Sequence, residues 1–271
     1  MIKEYFASIG RKMKLPMSTN NLALFISFMD LKGYCKSTIQ TYMSAVSFIH
    51  KMHNKTDNTS NAIIKKCMNG LKSVGKLKRP PLSPKILEQL INTSESCLSD
   101  YGARLFKCIS VFLFLGFFRI SELLGDKRLD IPPLDEGCIK RAKDEVIIKI
   151  NRYKHSRGKG AEIKLKRQAS KHLCPVRALR SYQKVRVGKA KGFFINEKGR
   201  PLTKNAFASL LKKVSVEAGF ETPYLSHCYR IGAATEAHRI GYTEVQIKAL
   251  GRWRSTAYAG YVKGSKPLVL D

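Results

Sequence analysis

Residues 226–264 read SHCYRIGAATEAHRIGYTEVQIKALGRWRSTAYAGYVKG. They hold a His and an Arg three apart (His227, Arg230), the chain's single Trp (Trp253), and tyrosines five and eight residues beyond it (Tyr258, Tyr261). Far upstream, Arg119 follows an apolar run in GFFRISELLG. Together these side chains could cleave a phosphodiester without a metal. Such a reaction needs a nucleophile, fixed cations on the non-bridging oxygens and a proton donor for the leaving oxygen. A phenol, with a pKa near 10, is a poor nucleophile unless cations or a base assist it.

Taken singly, each residue has a plainer reading. His227 and Arg230 share a face at the first turn of a predicted helix, where the dipole and free N–H groups favour an anion. The same pair would also suit a solvated face. Arg119 could pair with Glu122 on its own helical face or with a phosphate. A lone Trp is usually core, and a tyrosine on a late helix is usually packing. Only the combination points to one chemistry.

The charge of the chain suits a phosphate substrate. Fifty Lys and Arg oppose twenty Asp and Glu, a formal +30. Such an excess favours a polyanion, because phosphate contacts release condensed counterions. It names a partner class and no reaction. A hydrophobic content of 44% is that of a folded chain, which argues against disorder. Seven cysteines, with no C-x-x-C pair and no secretory signal, imply reduced thiols inside a cell. His50 and His53 have no cysteine pair nearby, so they read as two exposed imidazoles at a helix end, and no metal site is expected. The longest apolar run, VFLFLGFF at 111–118, falls far short of the roughly twenty residues a membrane span needs, and predicts a buried helix over about 102–118.

The elements that must position these residues follow from periodicity and caps. STNNLALFISFMDLKG gives a helix capped by Ser18 or Thr19, with Leu22, Phe25, Ile26 and Met29 on one face and Gly33 at its end. STIQTYMSAVSFIHKM predicts another, opened by a Ser37–Gln40 capping box, with Ile39, Tyr42, Met43, Val46 and Ile49 facing inward. A third is expected over about 60–72. Residues 1–79 carry 14 basic and three acidic side chains, so the basic excess extends to this part. KLKRPPLSP at 76–84 reads as a linker, since three prolines oppose a helix. Ser83 then caps a new helix with Pro84 at its first position. DEVIIKI and AEIKLKR, separated by NRYKHSRGKG, predict a β-hairpin with a basic tip. Further helices are expected over about 175–187, 204–218, 227–239 and 243–250, the last with a Thr243–Gln246 capping box and Gly251 at its end.

GFFRISELL, a basic hairpin, SHCYRIGAAT and LGRWRSTAYAGYV occur in that order over about 145 residues. This order resembles the tyrosine recombinase (phage-integrase) family, whose first arginine sits in a G-x-R-x-x-E-L context. Here one extra residue separates Gly116 from Arg119. The resemblance spans nearly the whole chain. Within the family, G-R-W in place of G-H, and CPVRAL at 174–179, are most similar to the recombinases of eukaryotic Crypton and DIRS-like mobile elements.

The resemblance implies a mainly α fold with a small β-sheet or hairpin in the catalytic domain, arranged as a two-domain C-shaped DNA clamp. Residues 1–75 would be the helical core-binding (SAM-like) domain, 76–84 the linker and 85–271 the catalytic domain. Family core-binding domains often begin with a fuller first helix than MIKEYFASIG, so a truncated start is expected. Arg119 and Arg230 match the two arginines that clamp the scissile phosphate. His227 matches the histidine that bonds the phosphate and handles the tyrosine proton, and Trp253 the third-position hydrogen-bond donor. Lys154 is the match for the hairpin lysine that protonates the leaving 5′-oxygen, with Lys159 and Lys149 as alternatives. Glu122 would hold Arg119. Tyr261 is the nucleophile, eight residues after Trp253 where many bacterial members have nine, with Tyr258 as the alternative.

The implied function is site-specific cutting and rejoining of double-stranded DNA through a 3′-phosphotyrosyl link, with no metal, ATP or other cofactor. The implied assembly is a homotetramer on two DNA sites, with the apolar tail Leu268–Leu270 docking on a neighbouring subunit and no membrane partner. The expected location is nuclear in a eukaryote, otherwise cytoplasm or nucleoid. The rival reading is a domesticated, catalytically inactive DNA-binding protein.

Overall fold

In the computed structural model the described residues are 1–71, 81–153, 158, 160–188, 190–254 and 259–262. The chain divides into two compact units, Met1–Lys78 and Arg79–Asp271.

The first unit is helical: α1 (Ile2–Ser8), α2 (Thr19–Leu31), α3 (Lys36–Met52) and α4 (Ala62–Gly70). Ser18 caps α2 by accepting a hydrogen bond from the Asn21 amide (3.3 Å). The apolar face expected of α2 is buried at all four positions, Leu22, Phe25, Ile26 and Met29. Helix α3 departs from the reading in two ways. It begins at Lys36 with Cys35 as its N-cap residue, so Ser37 lies inside the helix and the Ser37–Gln40 box does not form. Its buried face is Ile39, Met43, Val46 and His50, with His50 rather than Ile49 filling the last core position. His50 is therefore not an exposed imidazole. It is fully buried, and its Nε2 accepts the Met17 amide at 3.0 Å, which offsets the burial of a polar ring. His53 is exposed as expected.

The described part of the second unit opens on residues 81–83. Leu82 is fully buried in that unit's core, so the end of the expected linker is structural. Ser83 caps α5 (Pro84–Cys97) by accepting the Ile86 amide, with Pro84 in the first turn. The apolar run forms α6 (Asp100–Leu115), the central helix, packed by α5, by α8 (Pro175–Val185), by α9 (Lys204–Glu217) and by α10 (Ser226–Arg239). Helix α6 ends at Leu115, three residues before the expected end. Phe118 folds back so far that a Cβ on Gly116 would lie 2.2 Å from its ring, and Phe117 takes a left-handed φ of 51°. The short helix α7 (Ile120–Leu124) follows.

The hairpin is present as β2 (Glu145–Ile150) and β3 (Ala161–Lys166), antiparallel with Ile150 opposite Ala161. A third strand, β1 (Ile139–Arg141), pairs antiparallel with β2 and gives a sheet of order β1-β2-β3. Three residues in IKR are too few for a period-two pattern to reveal them. Helix α11 (Glu244–Leu250) carries the expected capping box, with Thr243 N donating to Gln246 Oε1 (2.8 Å) and Gln246 N to Thr243 Oγ1 (3.3 Å). A last helical turn, α12 (Ala259–Val262), packs against α10.

Candidate active site

Two tight turns carry the site. One is Gly116–Arg119, between α6 and α7. The other is Leu250–Trp253, after α11. Helix α10 lies against both.

Arg119 is the N-cap residue of α7. Its backbone N–H donates to Glu122 Oε2 (3.1 Å) and its Nη1 donates to Glu122 Oε1 (3.0 Å). The Glu122 side chain is fully buried and that of Arg119 is 23% exposed. Both expectations for Arg119 are therefore compatible: one edge of its guanidinium is held by Glu122, while part of the side chain still meets solvent.

His227 and Arg230 stand in the first turns of α10, which Leu225 caps with no side-chain oxygen. His227 lies at the surface. The bulk of the unit behind the ring removes solvent from it, and the charges of Arg230 and then Arg119 add repulsion; all three push its pKa below 6.5. The contact between Arg230 and the Phe117 carbonyl brings the turn that ends at Arg119 against the helix that bears His227, 108 positions further along the sequence. At neutral pH the imidazole is neutral and can accept a proton.

Arg230, matched to the second clamping arginine, lies deeper than Arg119. It is 1% exposed. Its Nη1 donates to the Phe117 carbonyl and its Nη2 to the Gly251 carbonyl. Its guanidinium lies over the Trp253 ring, 4.2 Å from the centroid. Trp253 is 8% exposed and meets Phe117 edge-on, with centroids 6.3 Å apart. Trp253 is thus both core and part of the site. Its ring covers Gly251 so closely that a Cβ there would lie 1.7 Å away.

Arg252 belongs to the same cluster and was not among the expected residues. Nη2 donates to Glu122 Oε2 (2.8 Å) and to the Phe117 carbonyl (3.3 Å), and Nη1 to the Gly116 and Leu250 carbonyls (3.2 and 3.1 Å). The only signal in the sequence is the charged residue between Gly251 and Trp253, where the chain leaves α11. Two guanidinium groups, those of Arg119 and Arg252, therefore pair with the one carboxylate of Glu122, while Arg230 donates to the neighbouring Phe117 carbonyl, so the site keeps an excess of positive charge.

Lys154, Lys159 and Tyr258 lie outside the described residues. Lys149 is exposed on β2, 3.8 Å from Glu162 Oε2. Tyr153, the last described residue before the hairpin tip, lines a pocket of about 430 Å³ with Lys248, Arg252, Trp253 and Arg254. The base of the hairpin therefore adjoins the Trp253 turn. The backbone of Tyr261 is in α12, against the helix that bears His227 and Arg230. Among the described residues no group of His, Cys, Asp and Glu could hold a metal, and no helix is long and apolar enough to cross a membrane.

At the sequence level, no family model and no curated protein matches the chain. Solved structures do match. The XerH site-specific recombinase, in a post-cleavage complex with its palindromic difH substrate, superposes with a TM-score of 0.69 at 17% identity, over 98% of this chain and 74% of that one. The chain has the tyrosine recombinase fold. The Tn1549 transposon integrase, in complex with transposon right-end DNA, gives 0.67 at 15% identity over 93% and 82%. A lambda integrase dimer bound to a COC′ core site gives 0.66 at 12% identity over 99% and 73%. In the chain's recombinase fold, α10 and the two turns bring together Arg119, His227, Arg230 and Trp253, four of the six residues expected to react. The backbone of a fifth, Tyr261, lies on the neighbouring α12.

Proposed function

We propose that the protein is a DNA strand transferase of the tyrosine recombinase type, acting on double-stranded DNA at specific sites. The observation that carries this reading is the convergence of Arg119, His227, Arg230 and Trp253 from three separate elements, beside the helix that bears Tyr261. The recombinase fold and the positive charge of the chain support it.

In this mechanism the Tyr261 phenol attacks a backbone phosphorus, and neutral His227 takes its proton. Arg119 and Arg230 neutralise charge on the non-bridging oxygens of the pentavalent transition state, a task suited to a planar and always charged guanidinium. The Trp253 indole N–H, a donor only, bonds one of those oxygens. Lys154 protonates the departing 5′-oxygen. One P–O bond forms to Tyr261 and one breaks, leaving a 3′-phosphotyrosyl link and a free 5′-hydroxyl. A 5′-hydroxyl from a partner strand reverses the step and seals the new junction. The bond energy is conserved in the link, so the reaction draws on no ATP or metal.

Exchange between two sites calls for a homotetramer. A groove of about 430 Å³ in the second unit, lined in part by Phe114, Leu165, Ala233, Ala237, Ile240 and Leu250, offers an apolar seat for a neighbour's Leu268–Leu270 tail. The G-R-W turn and CPVRAL favour kinship with the recombinases of Crypton and DIRS-like elements.

One observation favours a second reading, that of an inactive DNA-binding protein: Arg230 is buried and bonded to carbonyls. Incubation with nicked suicide DNA substrates separates the two. A covalent adduct on Tyr261 supports the transferase; tight binding with no adduct on any substrate, the native site included, supports the binder.

A further inference from the structure

We infer that Arg252 is a positioning residue that frees Arg119 for the DNA phosphate by keeping the buried Glu122 carboxylate paired. The inference rests on the strand-transfer reading above.

Glu122 is the pivot. Its Oε1 accepts Arg119 Nη1, while its Oε2 accepts Arg252 Nη2 at 2.8 Å and the Arg119 backbone amide at 3.1 Å. The carboxylate has no exposure, the Arg252 side chain 9% and the Arg119 side chain 23%. The deeper arginine thus holds one oxygen and the shallower arginine the other. Were Arg119 the only cation on Glu122, turning toward a phosphate would strand a buried carboxylate, which is strongly unfavourable. Glu122 would then compete with the DNA for Arg119. With Arg252 in position, Oε2 keeps its cation and its backbone amide while Arg119 shifts.

Two further observations suit this role. Arg252 adopts φ 55°, a region that side chains other than glycine rarely occupy and that surrounding structure must impose. Its guanidinium also donates to the carbonyls of Gly116, Phe117 and Leu250, and lies 5.1 Å from the Phe118 ring centroid. It therefore pins the turn that presents Arg119 to the turn that presents Trp253. The fit is incomplete, because its Nε is buried without a hydrogen-bond partner. A side chain held at that cost, on an unfavourable backbone, is doing something glycine could not.

The test is single-turnover cleavage of a suicide DNA substrate by the full chain, with duplex binding measured in parallel. Arg252→Gly removes the guanidinium and suits the left-handed backbone, so the variant is expected to fold. Its cleavage should slow by roughly 100-fold, the scale of losing one transition-state contact, while non-specific binding changes by less than about threefold, because the lost charge is largely buried and already paired with Glu122. The decisive variant is the double one, Glu122→Gln with Arg252→Gly. With the buried charge gone, Arg119 has no competing carboxylate, and at least tenfold of the lost rate should return. Arg252→Lys should cleave faster than Arg252→Gly.

Wild-type rates in Arg252→Gly would overturn the inference. So would a double variant as slow as Arg252→Gly, which would make Arg252 a scaffold only. If Arg252→Gly does not fold, the double variant is compared with Glu122→Gln alone: similar rates support the inference, and a further tenfold loss overturns it. Failure of the wild type itself to form an adduct would instead refute the strand-transfer reading.

Discussion

Replacing Gly251 by Ala should dislodge Trp253 and disturb the whole site. The Gly251 backbone has φ −80° and ψ −3°, which alanine accepts freely, and helix propensity alone would favour alanine by up to about 1 kcal/mol. Sterics oppose it. The new Cβ would stand 1.7, 1.9 and 2.4 Å from Cζ3, Cε3 and Cη2 of Trp253, where ordinary contact begins near 3.4 Å. No small adjustment covers that gap, so the ring must leave its seat against Phe117 and beneath Arg230. Overpacking a core costs about 1–3 kcal/mol, and losing the ring's burial altogether about 3–5 kcal/mol. A net loss of about 2–4 kcal/mol is expected once the propensity gain is subtracted, which lowers Tm by about 4–16 °C for a unit of this size. Trp253 is the only tryptophan, so fluorescence reports on this position alone. The emission of Gly251→Ala should shift to the red as the ring, 8% exposed in the wild type, meets water. An unchanged emission maximum with a Tm within about 1 °C of wild type would refute the packing on which the site's geometry rests.

Three further outcomes are expected. Duplex binding should weaken steeply with salt; a surface touching about eight phosphates gives a log–log slope near −7, and a slope near zero in a filter-binding titration would remove DNA as the partner. Tyr261→Phe should bind DNA as the wild type does and form no adduct, whereas Tyr258→Phe should still form one; mass spectrometry of the trimmed adduct names the tyrosine, and a nucleotide on Tyr258 would show that the spacing was misassigned. The depressed pKa of His227 sets the direction of the pH response. Because the unfolded chain takes up that proton first, the stabilising contribution of neutral His227 is intact above pH 6.5 and is lost as pH falls through the lower folded value. Cleavage should fall over the same acid range, and His227→Gln, with no titrating ring, should slow the reaction and flatten that limb; an acid limb that persists unchanged in His227→Gln would assign it to another group.

What the sequence determined by itself was whatever depends on near neighbours. Caps at Ser18, Ser83 and Thr243 are made within three residues of the capping side chain, so helix starts were legible there. The same holds for the apolar face of α2 and the period-two runs of the hairpin. Arg119, His227, Arg230 and Trp253 could be singled out because few roles use those types in that order. Where a side chain's partner is distant, the local pattern misled. His50 looked like an exposed helix end because its acceptor role is filled by the Met17 amide, 33 residues away. The end of α6 was overestimated because only the packed Phe118 ring requires the chain to turn at Gly116.

Tertiary structure alone decided how the charges are apportioned. Arg230 and Arg252 both donate to the Phe117 carbonyl, from 113 and 135 residues away. Every residue carries a carbonyl, so no sequence pattern marks the one that will receive an arginine. Glu122 could be read as the partner of Arg119 at three residues' distance, but its second cation comes from 130 residues away, on the turn that follows α11. Burial is likewise a property of the assembled unit. It takes Arg230 out of water and leaves Arg119 partly in it, although the two residues are of one type and were assigned one role.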